Sequence, residues 1–255
     1  MKYLTTLLAF LAMQFLTGCF QASITVHVKP DGSGTVEQTM TMSEATIQQI
    51  KAMSGGADGG KKGPHEIDEA KLKEQAAKMG EGVTFVSAKP IKAAGQQGFT
   101  ATFAFTDISK VKVKQMPDMG EGGAGAKDDV GFQFAKGSPA TLTITMPPAK
   151  KNAAAGAPEQ ENDQMLAMMK EMFKDMRVSF AVDVQGTIQK TNASHRDGQK
   201  VTLLDMEFAK VMADPVKFKA FTKVKDPNTA EAKALLKTIP GVKIETESPI
   251  TISFQ

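Results

Sequence analysis

Ile24-Thr25-Val26-His27-Val28-Lys29-Pro30-Asp31-Gly32-Ser33-Gly34-Thr35-Val36 is the stretch from which the fold is read. Ile24, Val26 and Val28 alternate with Thr25, His27 and Lys29, the period of a strand with one buried face. Pro30 to Gly34 supplies turn residues, and the apolar positions resume at Val36, Met40 and Met42. The pattern predicts a β-hairpin.

Outward from the hairpin the same style repeats. Ser43 is placed to cap a helix through about Met53, and Asp68 a second one through about Met79, closed by Gly80. Val83 to Val86, then Phe99, Ala101, Phe103 and Phe105, read as strands, so the first half reads ββααββ. Phe132 with Phe134, and Leu142 with Ile144 and Met146, add two more. Val178, Phe180, Val182 and Val184 lead through Gly186 to Ile188, and a turn at Asp197 and Gly198 leads into Val201 and Leu203. Ile250, Ile252 and Phe254 form the last strand. Further helices are expected after Asn162 or Asp163, over Glu207 to Ala213 before Asp214 and Pro215, and from Asp226-Pro227 to near Lys237. With no βαβ alternation, the expectation is an α+β fold: mainly antiparallel sheet or sheets of about nine strands, covered by several amphipathic helices.

Composition sets the bounds. The 255 residues are 41% hydrophobic and 23% charged, enough to build a core. The formal charge of +3 falls to about +2 without Lys2, which gives no strong pull on nucleic acid, and none is expected as a partner. One cysteine excludes a disulfide framework within the chain. Three scattered histidines leave little for a catalytic metal, so neither metal nor cofactor is expected.

Residues 1–18 read as an export signal. Lys2 starts it, and Leu4 to Leu16 is an apolar run shorter than the roughly 20 residues a spanning helix needs. It ends in Leu16-Thr17-Gly18-Cys19, which resembles the lipobox of bacterial lipoproteins: an aliphatic residue, two small ones and a cysteine. Small residues admit the peptide to a narrow peptidase site, and the Cys19 thiol is the group that becomes a thioether to diacylglycerol. Each buried CH₂ is worth about 0.8 kcal/mol, so several acyl chains would hold Cys19 firmly to a membrane. The resemblance implies a lipid-anchored protein of the cell envelope. Phe20, standing where an aspartate would alter sorting, implies the outer membrane where two membranes exist. The remainder, 19–255, is expected to be an extracytoplasmic domain, with two possible lobes, 20–146 and 162–255, joined by a linker at 147–161.

Lys29-Pro30-Asp31-Gly32-Ser33-Gly34 and the run Arg177 to Asn192, with Gly186, Ile188 and Asn192 ahead of a polar turn, resemble LppM-type bacterial lipoprotein domains. Gln97-Gly98-Phe99 through Phe105-Thr106-Asp107-Ile108 is similar in style, and the resemblance spans residues 24–206. It implies an envelope-exposed α+β domain and lipid binding. The chain departs from the pattern at Gln185, where the family commonly has proline, at Leu203 and Leu204, where it has an aromatic, and in lacking a membrane helix after the domain. No binding residue is carried over.

Met165, Met168, Met169, Met172 and Met176 fall at i, i+3, i+4, i+7 and i+11, one face of a helix, with Lys170, Glu171 and Lys174 opposite. Core packing is the ordinary use of such a stripe. A groove for acyl chains or a partner helix is the functional one, since flexible thioethers suit an adaptable apolar surface. Gly55 to Lys62 approaches a phosphate loop, but Lys62 replaces the needed Ser or Thr, and no strand leads into it. His65-Glu66 opens a zinc-helix motif that Glu69 fails to complete, while His27 and His195 are read as solvated. No nucleophile with an adjacent base is recognisable. The reading is therefore a non-enzymatic anchored lipoprotein that binds a hydrophobic ligand, a lipid, or an envelope protein. Its alternatives are a structural or assembly lipoprotein and an unrecognised envelope hydrolase built on distant carboxylates.

Overall fold

The hairpin is present: β1 (Phe20–Val28) pairs antiparallel with β2 (Gly34–Ser43), Val26 lying opposite Val36. The Lys29 N–H donates to the Ser33 carbonyl at 2.8 Å across the turn, and Asp31 Oδ1 accepts from the Ser33 N–H and hydroxyl at 2.9 and 2.8 Å. These two bonds hold the Asp31 carboxyl below its ordinary pKa. The structure is a computed structural model, and it describes residues 20–53, 63, 65–93, 95–115, 129–147, 176–222, 224 and 229–255.

After β2 come α1 (Glu44–Met53) and α2 (Glu69–Met79), then β3 (Thr84–Ala93) and β4 (Gln96–Phe105). Both expected caps form: Ser43 Oγ accepts from the Thr46 N–H, and Asp68 Oδ1 from the Lys71 N–H. A 3₁₀ turn at Ile108–Lys110 leads to β5 (Lys112–Lys114), followed by β6 (Asp129–Ala135) and β7 (Ala140–Thr145). The chain is described again from β8 (Met176–Val184), through β9 (Ile188–Thr191), β10 (Arg196–Asp197) and β11 (Lys200–Glu207). Helices α3 (Phe208–Val211), α4 (Pro215–Thr222) and α5 (Ala230–Thr238) precede β12 (Val242–Ile244) and β13 (Ile250–Phe254).

The larger sheet has the order β10-β11-β8-β1-β2-β4-β3, with β12 also pairing β11. The smaller runs β5-β6-β7-β13-β9. The described pairs are antiparallel except one: β1 lies parallel to β8, Phe20 beside Met176 and Val28 beside Val184. Both sheets take strands from each side of 147–161, so residues 20–146 and 162–255 share them.

The fold is α+β with mostly antiparallel sheet, and three details differ from the sequence reading. Among the described residues thirteen strands replace about nine; the four additional ones, β5, β9, β10 and β12, have two to four residues each, too short to show alternation. Among the described residues helices cover less than expected, because the buried faces of the two sheets meet in one core; the helix expected after Asn162 or Asp163 lies outside them. Ile24, Val26, Phe103, Phe180 and Val182 from the larger sheet join Leu142, Ile144, Ile250, Ile252 and Phe254 from the smaller. Helix α2 adds Leu72, Ala76 and Met79 to that core. Finally, α3 forms within Glu207 to Ala213 as expected, but Pro215 opens a further helix, α4, with Asp214 Oδ1 accepting from the Val216 and Lys217 N–H groups, and α5 is capped by Thr229.

Val178 to Ile188 is not one run. Gly186 stands where the chain leaves the larger sheet for the smaller, and a Cβ there would meet the Gln255 carbonyl oxygen at 2.7 Å. Thr187 donates to that same oxygen at 2.6 Å, so glycine allows β9 to seat against the end of β13.

Phe180 is fully buried on β8, between β1 and β11. Phe180→Ala is expected to lower unfolding stability by about 3–5 kcal/mol, against changes of about 0.5 kcal/mol or less for Thr106→Ala at the exposed end of β4, both read from urea denaturation midpoints.

Candidate functional site

Cys19 lies outside the described residues, and Phe20, the residue bonded to it, opens β1. The inward face of the sheet at that end carries a second apolar cluster, separate from the main core: Phe20, Ala22, Met40, Met42 and Ile47, with Met176 packed against it. Register explains the grouping. Phe20 lies opposite Met42 on one side and Met176 on the other, and Ala22 opposite Met40. Ile47 comes from the first turns of α1. Between this cluster and the main core, β2 places Gln38 on the inward row, where its Oε1 accepts from Gln75 Nε2 of α2 at 2.8 Å. On β2 this amide pair stands between the two clusters, while Met176 packs against both.

Met176 is therefore a strand residue, not the last member of a helical stripe. The alternation Met176, Val178, Phe180, Val182, Val184 was the signal for it, since it carries period two back through residue 176. Met165, Met168, Met169 and Met172 lie outside the described residues, as do the leader, the Gly55–Lys62 stretch and the 148–161 part of the linker.

Polar contacts rim this end of the sheet. The Glu44 N–H donates to the Gly95 carbonyl at 2.9 Å, and Gln97 Nε2 to Glu44 Oε1 at 3.4 Å, tying the start of α1 to the β3–β4 turn. Beside Met176, Arg177 donates two parallel bonds to the Asp205 carboxylate, each 2.9 Å, and that bonding raises the guanidinium pKa above its ordinary value. Gly98, opposite Thr41, lets β4 approach closely: a Cβ there would collide with the Met40 carbonyl oxygen.

The other face of the larger sheet is polar. Ser23, Thr39 and Thr100 form one row across β1, β2 and β4, with the Thr39 and Thr100 hydroxyls 2.8 Å apart. Another row runs Lys200, Asp183, His27, Thr35, Ala104. His27 is not simply solvated: it is 28% exposed, and its Nδ1 stands 3.3 Å from Asp183 Oδ2. A pair this open contributes roughly 0.2–1 kcal/mol when charged.

His195 lines a cleft with Ser194, Leu236, Val242 and Ile244, about 20 Å³ in volume. That is room for a water, not for an acyl chain. Next to it lies the one buried carboxylate side chain of the described residues, Glu245. Its oxygens accept from the backbone N–H groups of Ser194, Thr246 and Glu247, the last two at 3.0 and 3.1 Å. Glu245 therefore joins the loop after β9 to the segment before β13. No spacing in the sequence marks it, because its main partner is 51 positions away. Among the described residues no group of three or more His, Cys, Asp or Glu side chains is placed to hold a metal ion. No helix among them is long and apolar enough to cross a membrane.

The chain matches no protein-family model and no curated protein. Among solved structures it is similar to the folded domain of the Mycobacterium tuberculosis LppM protein, determined by NMR, at 9% sequence identity and a TM-score of 0.35. The match covers 93% of this chain and 90% of that one. It is a distant neighbour, and a TM-score below 0.5 does not establish a shared fold.

Glu245→Ala leaves three backbone donors without their acceptor and is expected to cost about 1–3 kcal/mol. Glu245→Gln keeps one acceptor oxygen and is expected to cost less. Urea denaturation of the two variants in parallel reads the difference.

Proposed function

We propose that this chain is a lipid-anchored extracytoplasmic protein of the cell envelope, held to a membrane through acylated Cys19 and acting by binding, without catalysis. The observation that carries the reading is the junction of residues 19 and 20. Leu16-Thr17-Gly18-Cys19 resembles a lipobox, and Phe20, the next residue, is already paired on both sides within β1. The chain has no other cysteine to share the role. In a cell with two membranes, Phe20 at the position after the cysteine favours the outer one.

The ligand in this reading is a lipid or another hydrophobic molecule received along Met165, Met168, Met169 and Met172, or an envelope protein. A second reading, an assembly lipoprotein with no small ligand, has its own support. Among the described residues the exposed large hydrophobic side chains are Val86 and Val216, and the open sheet face is lined by hydroxyls. Such a surface suits a polar protein partner better than an acyl chain.

Cys19→Ser is expected to move the protein from the membrane to the soluble fraction. Intact mass of the unaltered protein is expected to show a start at Cys19 plus acyl mass. An intact leader, or a trimmed start without acyl mass, overturns the anchor. Lipid extraction of the detergent-purified full chain separates the two binding readings: lipid beyond the anchor supports a hydrophobic ligand, and its absence together with one discrete protein crosslink in cells supports assembly.

A further inference from the structure

We infer that the end of the larger sheet where β1 begins faces the surface of the bilayer, with no tether between anchor and body, so that the β2–α1 junction and the β3–β4 turn lie against the lipid headgroups. The inference rests on the acylation of Cys19 proposed above and adds an orientation to it. Neighbouring Cα atoms are about 3.8 Å apart, and Phe20 already belongs to the sheet. Phe20 is paired on both sides, with Met42 and with Met176, and is 8% exposed. Peeling it away to make a tether would break both ladders and open the apolar cluster of Phe20, Ala22, Met40, Met42 and Ile47. The anchored residue is thus attached directly to a residue of β1 that is paired on both sides.

Register identifies what shares that end. Met42 lies opposite Gln97, and Ser43 opposite Gln96, which in turn faces Ala93 across the β3–β4 turn. Ser43 caps α1, and the Glu44 N–H bonds Gly95. Lys92, Ala93, Gly95 and Ala45 are exposed there. The Lys29–Ser33 turn, Thr106 and Gln199 stand at the opposite end, near Val28, Phe105 and Lys200. At about 3.3 Å per residue the nine residues of β1 separate the two ends by roughly 27 Å. That separation exceeds the depth of a headgroup layer, so the two ends are distinguishable by contact with lipid.

Because Cys19 is the chain's one cysteine, an introduced cysteine is the free thiol of the acylated protein. Lys92→Cys, Ala45→Cys, Glu37→Cys, Thr106→Cys and Gln199→Cys, each in the full chain, would be extracted from membranes, labelled with a fluorophore and reconstituted into phosphatidylcholine vesicles. Part of the lipid carries a headgroup nitroxide as quencher. The expected result is quenching several-fold stronger at positions 92 and 45 than at 106 and 199, with position 37, midway on the polar face, near the weaker value. Insertion of a Gly/Ser linker of about 20 residues after Phe20's neighbour Cys19, with a root-mean-square span of roughly 25 Å, is expected to erase the difference. Equal quenching at all positions without the linker, or strongest quenching at position 37, overturns the orientation. Intact mass of the same samples distinguishes the two failures: acyl mass with uniform quenching refutes the orientation alone, and no acyl mass refutes the anchor and the orientation with it.

Discussion

The structure depends on β1 being paired along its whole length on both sides, antiparallel to β2 and parallel to β8. Through β2 the strand holds β4 and β3, and through β8 it holds β11, β10 and β12. Its inward side chains reach both apolar clusters, Phe20 and Ala22 in one, Ile24, Val26 and Val28 in the other. A one-residue slip on either side would turn those side chains outward and bring Gln21, Ser23, Thr25 and His27 into the core. Burial of one face therefore fixes the register of two ladders at once.

Elements whose signals are local were legible. The hairpin, the Ser43 and Asp68 caps, the end of α2 at Gly80 and the strand at Ile250 all follow from residues within a few positions of one another. What was not legible needs distant partners. Nothing near residues 20–28 says that β8 will lie beside them in parallel. Nothing in the alternation says that the two sheets cover each other, leaving less work for helices. The Asp-Pro pair at 214–215 carries the same helix-start signature as the one at 226–227, and only the hydrogen bonds from Val216 and Lys217 show that it was used. For the site, the motif ending at Cys19 is read from sequence alone. The cluster beside it needed the strand register, because Phe20, Met42 and Met176 are brought together from three separate segments.

Polar groups below the surface show a division of labour. Gln38 with Gln75 forms an amide pair midway along β2, between the two apolar clusters, and Glu245 gathers three backbone donors where two loops meet. Each satisfies groups that would otherwise lose water without replacement. The polar rows of the outer face do something different: they keep that face of the sheet wettable, with hydroxyls such as those of Thr39 and Thr100 bonded across neighbouring strands.

The parallel pairing of β1 with β8 also bears on the order in which the sheet can close. The first strand emerges with its inner neighbour on one side only, and the other edge waits for residues from beyond 147–161. Pairing over such a distance is slow to form, because the entropy of closing the intervening loop must be met before any contact rewards it. Closure of the larger sheet around β1 thus depends on the latter part of the chain, and half of the molecule's central ladder has no partner until those residues arrive.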